Sequence, residues 1–415
     1  KSFFRIISSF IILVAFNTAN ADSIKWLHLF GEDSSQYPNM VRAVEEFEAK
    51  TGHTVVMQYL ENESFKAKLP TMLQSNDRPD IFYSWGGGVM YDQARAGFLR
   101  DVSSVVPDSY LNTVSAAAAD AFTFEGQRVG LPLQVSQVAW WYNKDLMSQA
   151  GVDVSQIKMW DDLLGAVKQI KAAGITPICM GGKDKWPVHF VWTHLHIRNG
   201  GKGLFLESLN NGGWDRPEYI RSGEQMLELV ELEPFQKGWL AATWPDQAGF
   251  FGDGKCAMAL MGNWMYGSQA SNSASGEGLA DANMGMFNMP MTSGGIGDSG
   301  DTLGGINGWL FSSTASDAAV ELMMHYVSLD IQKEDASNGA YIPIVKGADG
   351  SLTNPFLQQV AKNISNSEYH QIFYDQFLGA DIGRVVNDVS TDLAAGIISA
   401  EEATQAVQEA WEFNQ

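Results

Sequence analysis

Short apolar runs and amphipathic stretches alternate along the first hundred residues. The apolar runs, which are typical of strands, lie at residues 24–30, 53–60 and 79–85. Between the first two runs, apolar residues recur at helical spacing before Gly52, which predicts a helix over 38–52. Residues 63–76 also have a helical pattern, and we expect Pro70 to break that helix into two pieces. This β-α-β-α-β order predicts the start of an open, mostly parallel sheet.

The same alternation continues through the rest of the chain. Predicted strands lie at residues 136–143, 175–180, 254–261, 283–290 and 309–313. Predicted helices lie at residues 159–174, 189–197, 221–232, 316–329 and 399–413, the last with a capping box formed by Ser399 and Glu402. We expect the glycine-rich stretch 293–308 to be a loop. A chain of 415 residues exceeds the size of a single core, so the pattern predicts two α/β lobes.

The first residues have the features of a secretory signal peptide. Lys1 and Arg5 form a basic start, residues 6–16 are almost wholly apolar, and Ala19-Asn20-Ala21 suits a cleavage site. The apolar stretch is too short for a membrane-spanning helix, which is the alternative interpretation. We therefore expect residues 1–21 to be removed and a mature chain to be exported from Asp22 onward.

The net charge of −21 argues against nucleic acid and anionic membranes as partners. The two cysteines, Cys179 and Cys256, both lie in apolar runs predicted to be strands. We interpret them as two buried thiols that act as small hydrophobic groups, although neighbouring strands would allow a disulfide.

Four tryptophans stand beside glycine-containing turns at predicted strand ends: Trp85, Trp186, Trp264 and Trp309. Each ring could simply cover the edge of a core. A flat aromatic face can also stack on the C–H face of a sugar, with nearby polar groups binding the hydroxyls. The polar residues placed to do this are Glu32, Asp33, Gln134, Gln137, Asp184, Lys185 and Asn307.

Other chemistry finds little support in the sequence. Residues 295–300 match G-x-G-x-x-G but open no predicted helix, and the spacing of His189, His194 and His196 does not suit a metal, so we predict neither cofactor nor metal. The motifs of serine hydrolases, zinc proteases and P-loop proteins do not occur. A secreted glycoside hydrolase remains the alternative, but adjacent carboxylates such as Glu32 and Asp33 cannot straddle a glycosidic bond, so its pair would come from separate loops.

Several motifs resemble the extracellular solute-binding proteins of ABC sugar importers, the group that includes maltose-binding protein. They are "DRPDIFYSWGGG", "LPLQVSQVAWWYNKDLMSQAGV", "FGDGKCAMALMGNW" and the tail from Tyr374 to Trp411. The resemblance implies a class II periplasmic binding protein fold, with a cleft between two lobes and three hinge crossings. With crossings at 130–134 and 288–292, the first lobe is 22–132 plus 291–338, and the second lobe is 133–290 plus 339–415.

The resemblance also implies site residues and partners. By resemblance to the family motifs, we expect twelve residues to contact the ligand. They are Trp264, Ser84, Trp85, Gly86, Asp184, Lys185, Trp186, Gly305, Trp309, Tyr374, Asp375 and Arg384. The expected protein is a periplasmic monomer that binds a mono- or oligosaccharide and presents it to the permease subunits of an ABC importer. A polyol or an acidic sugar derivative is the alternative ligand, and an acidic one would require Lys185 or Arg384.

Overall fold

The computed structural model describes residues 22–415, so the predicted signal peptide lies outside the described residues. The strands are β1 Ser23–His28, β2 Thr54–Tyr59, β3 Ile81–Ser84, β4 Thr123–Phe124, β5 Gln127–Arg128, β6 Gly130–Asn143, β7 Thr176–Ile178, β8 Cys256–Gly262, β9 Met284–Phe287, β10 Thr302–Phe311, β11 Ile342–Pro343 and β12 His370–Ile372.

Helices pack against the sheet that most of these strands form. They are α1 Tyr37–Thr51, α2 Asn62–Gln74, α3 Gly87–Arg95, α4 Asp108–Leu111, α5 Ala116–Asp120, α6 Lys144–Gln149, α7 Trp160–Ala172, α8 Trp186–Asn211, α9 Pro217–Val230, α10 Trp244–Gly252, α11 Met265–Ser271, α12 Asp317–Tyr326, α13 Leu329–Ser337, α14 Pro355–Asn366, α15 Tyr374–Phe377, α16 Ala380–Ala394 and α17 Ala400–Phe413. Gly201 interrupts α8 with a non-helical conformation, and the predicted capping box of α17 is confirmed. No helix within residues 22–415 is long and apolar enough to cross a bilayer.

The main sheet follows the order β2-β1-β3-β10-β6-β8-β7. Strand β1 pairs in parallel with β2 and β3, which confirms the predicted parallel start of the sheet. Strand β10 runs antiparallel between β3 and β6, and β6 runs antiparallel to β8. The short strands β9 and β11 pair with β6, β12 pairs with β10, and β4 and β5 form a separate hairpin.

Two large hydrophobic cores lie towards the two ends of this strand order. The first core includes Trp26 of β1 and Phe82 of β3, and the second core includes Ile178 of β7 and Leu260 of β8. Strand β6 contributes to both, with Leu131 and Leu133 in the first core and Val138 and Trp140 in the second. Strand β10 likewise places Leu303 in the second core and Leu310 in the first. The long strands β6 and β10 are therefore shared by both halves.

The second passage between the cores differs from our expectation at 288–292. Met289 and Leu303 both pack in the second core, whereas Trp309 packs in the first, so the chain passes between the cores within β10. The predicted loop 293–308 is also wrong in its second half, because β10 begins at Thr302. The glycines of this strand allow close approach of neighbours: a Cβ on Gly305 would lie 2.6 Å from the ring of Phe373.

Two further local predictions are wrong. Helix α2 continues through Pro70, because Phe65, Leu69 and Leu73 are buried on one face and this packing outweighs the lost backbone hydrogen bond. Cys179 and Cys256 form a disulfide, with their Cα atoms 5.5 Å apart, because β7 and β8 are paired neighbours and bring both residues together.

Candidate functional site

A cavity of about 420 Å³ lies where β6 and β10 pass from one core to the other. Its first wall, from elements packed on the first core, includes Phe30, Tyr59, Tyr83 and Trp85. Its second wall, from elements packed on the second core, includes Trp186, Phe190, Trp244, Trp264 and Phe373. The size and the aromatic lining suit a small-molecule site.

The aromatic rings of the second wall pack against one another. The Trp186 ring lies 5.8 Å from the Trp244 ring and 6.3 Å from the Trp264 ring, measured between centroids. The Trp264 ring meets Phe373 edge-on at 6.0 Å. These contacts hold the rings in fixed orientations, while Trp264 and Trp244 stay only partly buried.

The turn after β8 explains why Trp264 reaches the cavity. The ring folds back over the backbone of Gly262, where a Cβ atom would overlap it. The backbone N–H of Gln137 on β6 donates to the Asn263 side-chain oxygen at 3.0 Å, and the backbone N–H of Asn263 donates to the Gln137 carbonyl at 3.0 Å. The sequence Gly-Asn-Trp therefore provides the space, the anchor and the ring in three consecutive residues.

Polar groups of β3, β6 and β10 lie between the two aromatic walls. The side-chain amide of Gln134 donates to the Tyr83 hydroxyl at 2.9 Å. The side-chain oxygen of Asn307 is buried and has no hydrogen-bond partner among the described residues. An unpaired buried acceptor is costly, so a donor group of a ligand would stabilise it.

A polar bridge joins the two walls at one side of the cavity. The indole N–H of Trp186 donates to a Glu63 carboxylate oxygen at 3.0 Å, and the Lys66 ammonium lies 3.3 Å from the same oxygen. The ammonium also lies 5.3 Å from the Trp85 ring centroid and 5.4 Å from that of Trp186. Lys66 is thus placed between one indole of each wall, within the range of cation–π attraction.

Asp375 and His189 form the polar part of the second wall. His189 is fully buried, and its Nε2 lies 3.8 Å from an Asp375 carboxylate oxygen. Burial lowers the pKa of His189, and the carboxylate of Asp375 opposes this change. Neither ring nitrogen of His189 has a hydrogen-bond partner within residues 22–415. The imidazole therefore adds a buried polar group beside the Asp375 carboxylate at this wall of the cavity.

The structure brings together seven of the ligand contacts predicted from the sequence, and also His189, which the sequence analysis considered only as a metal ligand. The cavity lining includes Asp33, Trp85, Gln134, Trp186, Trp264, Asn307 and Asp375. Glu32 is exposed beside Asp33, and Gly86 caps α3 with Ser84 accepting its backbone N–H, so none of these three lines the cavity. Gly305 also lies outside the lining, where its backbone N–H donates to the Ser136 hydroxyl at 3.1 Å.

Six other predicted contacts lie elsewhere for identifiable reasons. Trp309 is fully buried against Trp26, and Tyr374 is buried against Phe205. Lys185 and Arg384 both contact Asp388 at the surface. Asp184 accepts the backbone N–H of Trp244, and the side chain of Gln137 bonds to Asn288 and Asn363.

The sequence reasoning missed several lining residues. Tyr59 is the last residue of β2 and Glu61 follows it, at the same sheet edge as the predicted loops, so their position at a strand end was a usable signal. Lys66 lies in the first turns of α2, the helix that comes next. His189, Phe190, Trp244 and Phe373 come from helix starts or loops that only the tertiary packing brings together. His189, His194 and His196 are buried separately, and residues 22–415 contain no group of three metal-ligating side chains.

The chain is similar to a family of known proteins and to several of its members. The profile of the family described as bacterial extracellular solute-binding protein matches residues 31–334. An uncharacterized ABC transporter extracellular-binding protein of Pyrococcus horikoshii is 25% identical over 49% of this chain and 46% of its own length. A probable sugar-binding periplasmic protein of Mesorhizobium japonicum is 25% identical over 48% of each chain. The chain spans about half the length of the curated relatives it matches.

A solved structure gives the fold directly. A protein studied for xylan utilization by the thermophilic bacterium Caldanaerobius polysaccharolyticus superposes with a TM-score of 0.86 at 23% identity, covering 93% of this chain and 99% of that one. The expected two-lobed periplasmic binding protein fold is therefore confirmed.

Proposed function

Because the chain belongs to the bacterial extracellular solute-binding proteins, we propose that it binds a mono- or oligosaccharide and delivers it to an ABC importer. The supporting observation is the cavity, in which indole rings from both walls face polar groups of β6, β10 and α15. The names of the relatives, which mention ABC transport and sugar binding, agree with this function.

The proposed mechanism is closure of the two lobes on the ligand. Contacts to both walls exist only when the walls approach, so the ligand stabilises the closed form and the permease recognises that form. The passages of β6 and β10 between the cores are the proposed hinges. With these two passages as boundaries, and with Val345 packing beside Val114 and Ala118 of the first half, we propose the lobes 22–134 plus 306–348 and 135–305 plus 349–415.

The remaining parts of the proposal concern location and partners. Members of this family act outside the cytoplasm, and we propose the periplasm, reached through cleavage of the signal peptide at residues 1–21. We propose a monomer that needs no cofactor and binds no nucleic acid, since the net charge of −21 would repel a polyanion.

A thermal-shift screen over mono- and oligosaccharides tests the proposal. A true ligand at ~100 times its dissociation constant adds about 2.7 kcal/mol to the free energy of unfolding. We expect Trp264→Ala to abolish the shift while the variant stays folded. Trp411→Ala is the matched control, because its indole lies in α17 and donates to the Leu209 carbonyl far from the cavity. An unchanged affinity in Trp264→Ala would contradict the placement of the site.

The glycoside hydrolase alternative is tested with the same sugars. A receptor returns every oligosaccharide intact after long incubation, whereas a hydrolase releases shorter products that chromatography detects. Products that disappear in an Asp375→Asn variant would favour the hydrolase, because Asp375 is the buried carboxylate of the lining.

A further inference from the structure

The charged side chains of the cavity lining are unevenly balanced. Three carboxylates, Asp33, Glu61 and Asp375, face one ammonium group, that of Lys66. Lys66 already has the Glu63 carboxylate at 3.3 Å and an indole face on either side. The one ammonium group of the described lining is therefore already paired with a carboxylate, and an anionic ligand would find no unpaired cation there.

The basic residues that an acidic ligand would need lie elsewhere. Lys185 contacts one oxygen of Asp388 at 2.6 Å, and Arg384 contacts the other at 3.3 Å. Neither lines the cavity, and both are half exposed or more. A carboxylate or phosphate on the ligand would instead meet the carboxylates of both walls.

Asp375 is the carboxylate whose environment points most directly to a ligand group. It is 8% exposed, and its Oδ2 atom accepts long hydrogen bonds from Gln376 and Asn387, both at 3.3 Å. Within residues 22–415, its Oδ1 atom accepts no hydrogen bond, and Nε2 of the buried His189 stands 3.8 Å away. A buried carboxylate that accepts only two long hydrogen bonds is poorly compensated, so a cationic donor in the cavity would stabilise it.

We propose that this cavity selects saccharides by charge, favouring a sugar with a protonated amine over its neutral parent, and the neutral parent over its uronic acid. This inference rests on the proposed carbohydrate function and deepens it. The amine N–H groups form charge-assisted hydrogen bonds with Asp375, while the indole rings stack on the sugar face.

Isothermal titration at pH 6 and low salt tests the order. The probes are glucose, glucosamine and glucuronate, the galactose counterparts of these three, and the β-1,4 dimers of the glucose series. The set is extended to the amine and the uronate of any neutral sugar that the thermal-shift screen identifies. We expect the amine to bind about tenfold more tightly than the neutral sugar, and the uronate about tenfold more weakly.

The outcomes separate the inference from the proposed function. Equal affinity for the amine and the neutral sugar, or for the neutral sugar and the uronate, overturns charge selection and leaves carbohydrate binding in place. If the protein binds a uronate and neither the amine nor the neutral sugar, charge selection is likewise overturned and carbohydrate binding stands. If no saccharide of any charge binds, the proposed function fails and the inference with it.

Variants locate the selection in the cavity. Asp375→Asn is expected to reduce the tenfold preference for the amine to roughly one. Asp381→Asn is the matched control, because Asp381 is exposed at the start of α16, and it keeps the preference. Since Asp375 is buried, Asp33→Asn on the exposed edge of the first wall is a second variant, expected to reduce the preference about twofold. A full preference in both cavity variants overturns the assignment.

Discussion

Removal of the disulfide between β7 and β8 has an effect that can be calculated from the structure. Cys179 and Cys256 are separated by 77 positions in the sequence, and both are fully buried in the second core. Cross-linking a loop of this length lowers the entropy of the unfolded chain and stabilises the fold by roughly 4.5 kcal/mol. For a unit of about 400 residues with an unfolding entropy of about 2.1 cal/mol/K per residue, this corresponds to a Tm lower by about 5 °C. If the lobe containing the bridge unfolds alone, the decrease is about twice as large.

The assay is a double-mutant cycle measured by chemical and thermal unfolding. Cys179→Ala, Cys256→Ala and the double variant are compared with the oxidised protein under non-reducing conditions. Either single variant already loses the whole cross-link, so we expect the double variant to be little less stable than the singles. Two independent buried thiols would instead give losses that add.

Two results would refute this reasoning. Additive losses near 1 kcal/mol each would show that the sulfurs only fill space. Labelling of two free thiols in denaturant without reductant would show that the bridge does not form. After either result, a decrease in the Tm of the variants could not be assigned to loss of a cross-link.

The remaining predictions concern the site and a buried carboxylate. Gly262→Ala should displace the Trp264 ring and abolish the ligand-induced thermal shift. Gly165→Ala in α7, which lies outside the cavity lining and has open space around its Cβ position, should retain the shift. An equal shift in both variants would contradict the account of the turn. Burial raises the pKa of Asp335 from 3.8 to about 7. Between these two pH values the folded state holds a proton that the unfolded state releases. This group therefore makes the free energy of unfolding fall as the pH rises from about 4 to 7. Asp335→Asn should remove that slope in urea midpoints, and an identical pH profile in the variant would refute the assignment.

The order of the elements could be predicted from the sequence because hydrophobic periodicity reports burial locally. The parallel start β2-β1-β3 and the α17 capping box are examples. The mistakes arise where tertiary contacts outweigh local preference. Pro70 remains inside α2 because its neighbours are buried, and the glycines of β10 mark close packing of strands rather than a loop.

The candidate site was predictable only in part. Residues at strand ends lie at one edge of the sheet, and this rule predicts Trp85 and Trp264 as cavity residues. The same rule cannot tell whether a ring at a strand end faces the cavity or the core, and the Trp309 ring lies in the first core. Helix starts such as that of α8 bring His189 and Phe190 to the cavity through long-range packing that no local pattern encodes.

The hydrogen bond between Trp186 and Glu63 gives the molecule an optical reporter of its own. The indole is 8% exposed, and its N–H is held by a carboxylate of the opposite wall. Separation of the walls would break that bond and hydrate the ring, which shifts indole fluorescence to longer wavelength. The difference in emission between the unlabelled protein and a Trp186→Phe variant would therefore report on the proposed motion of the cleft, against the background of the other tryptophans.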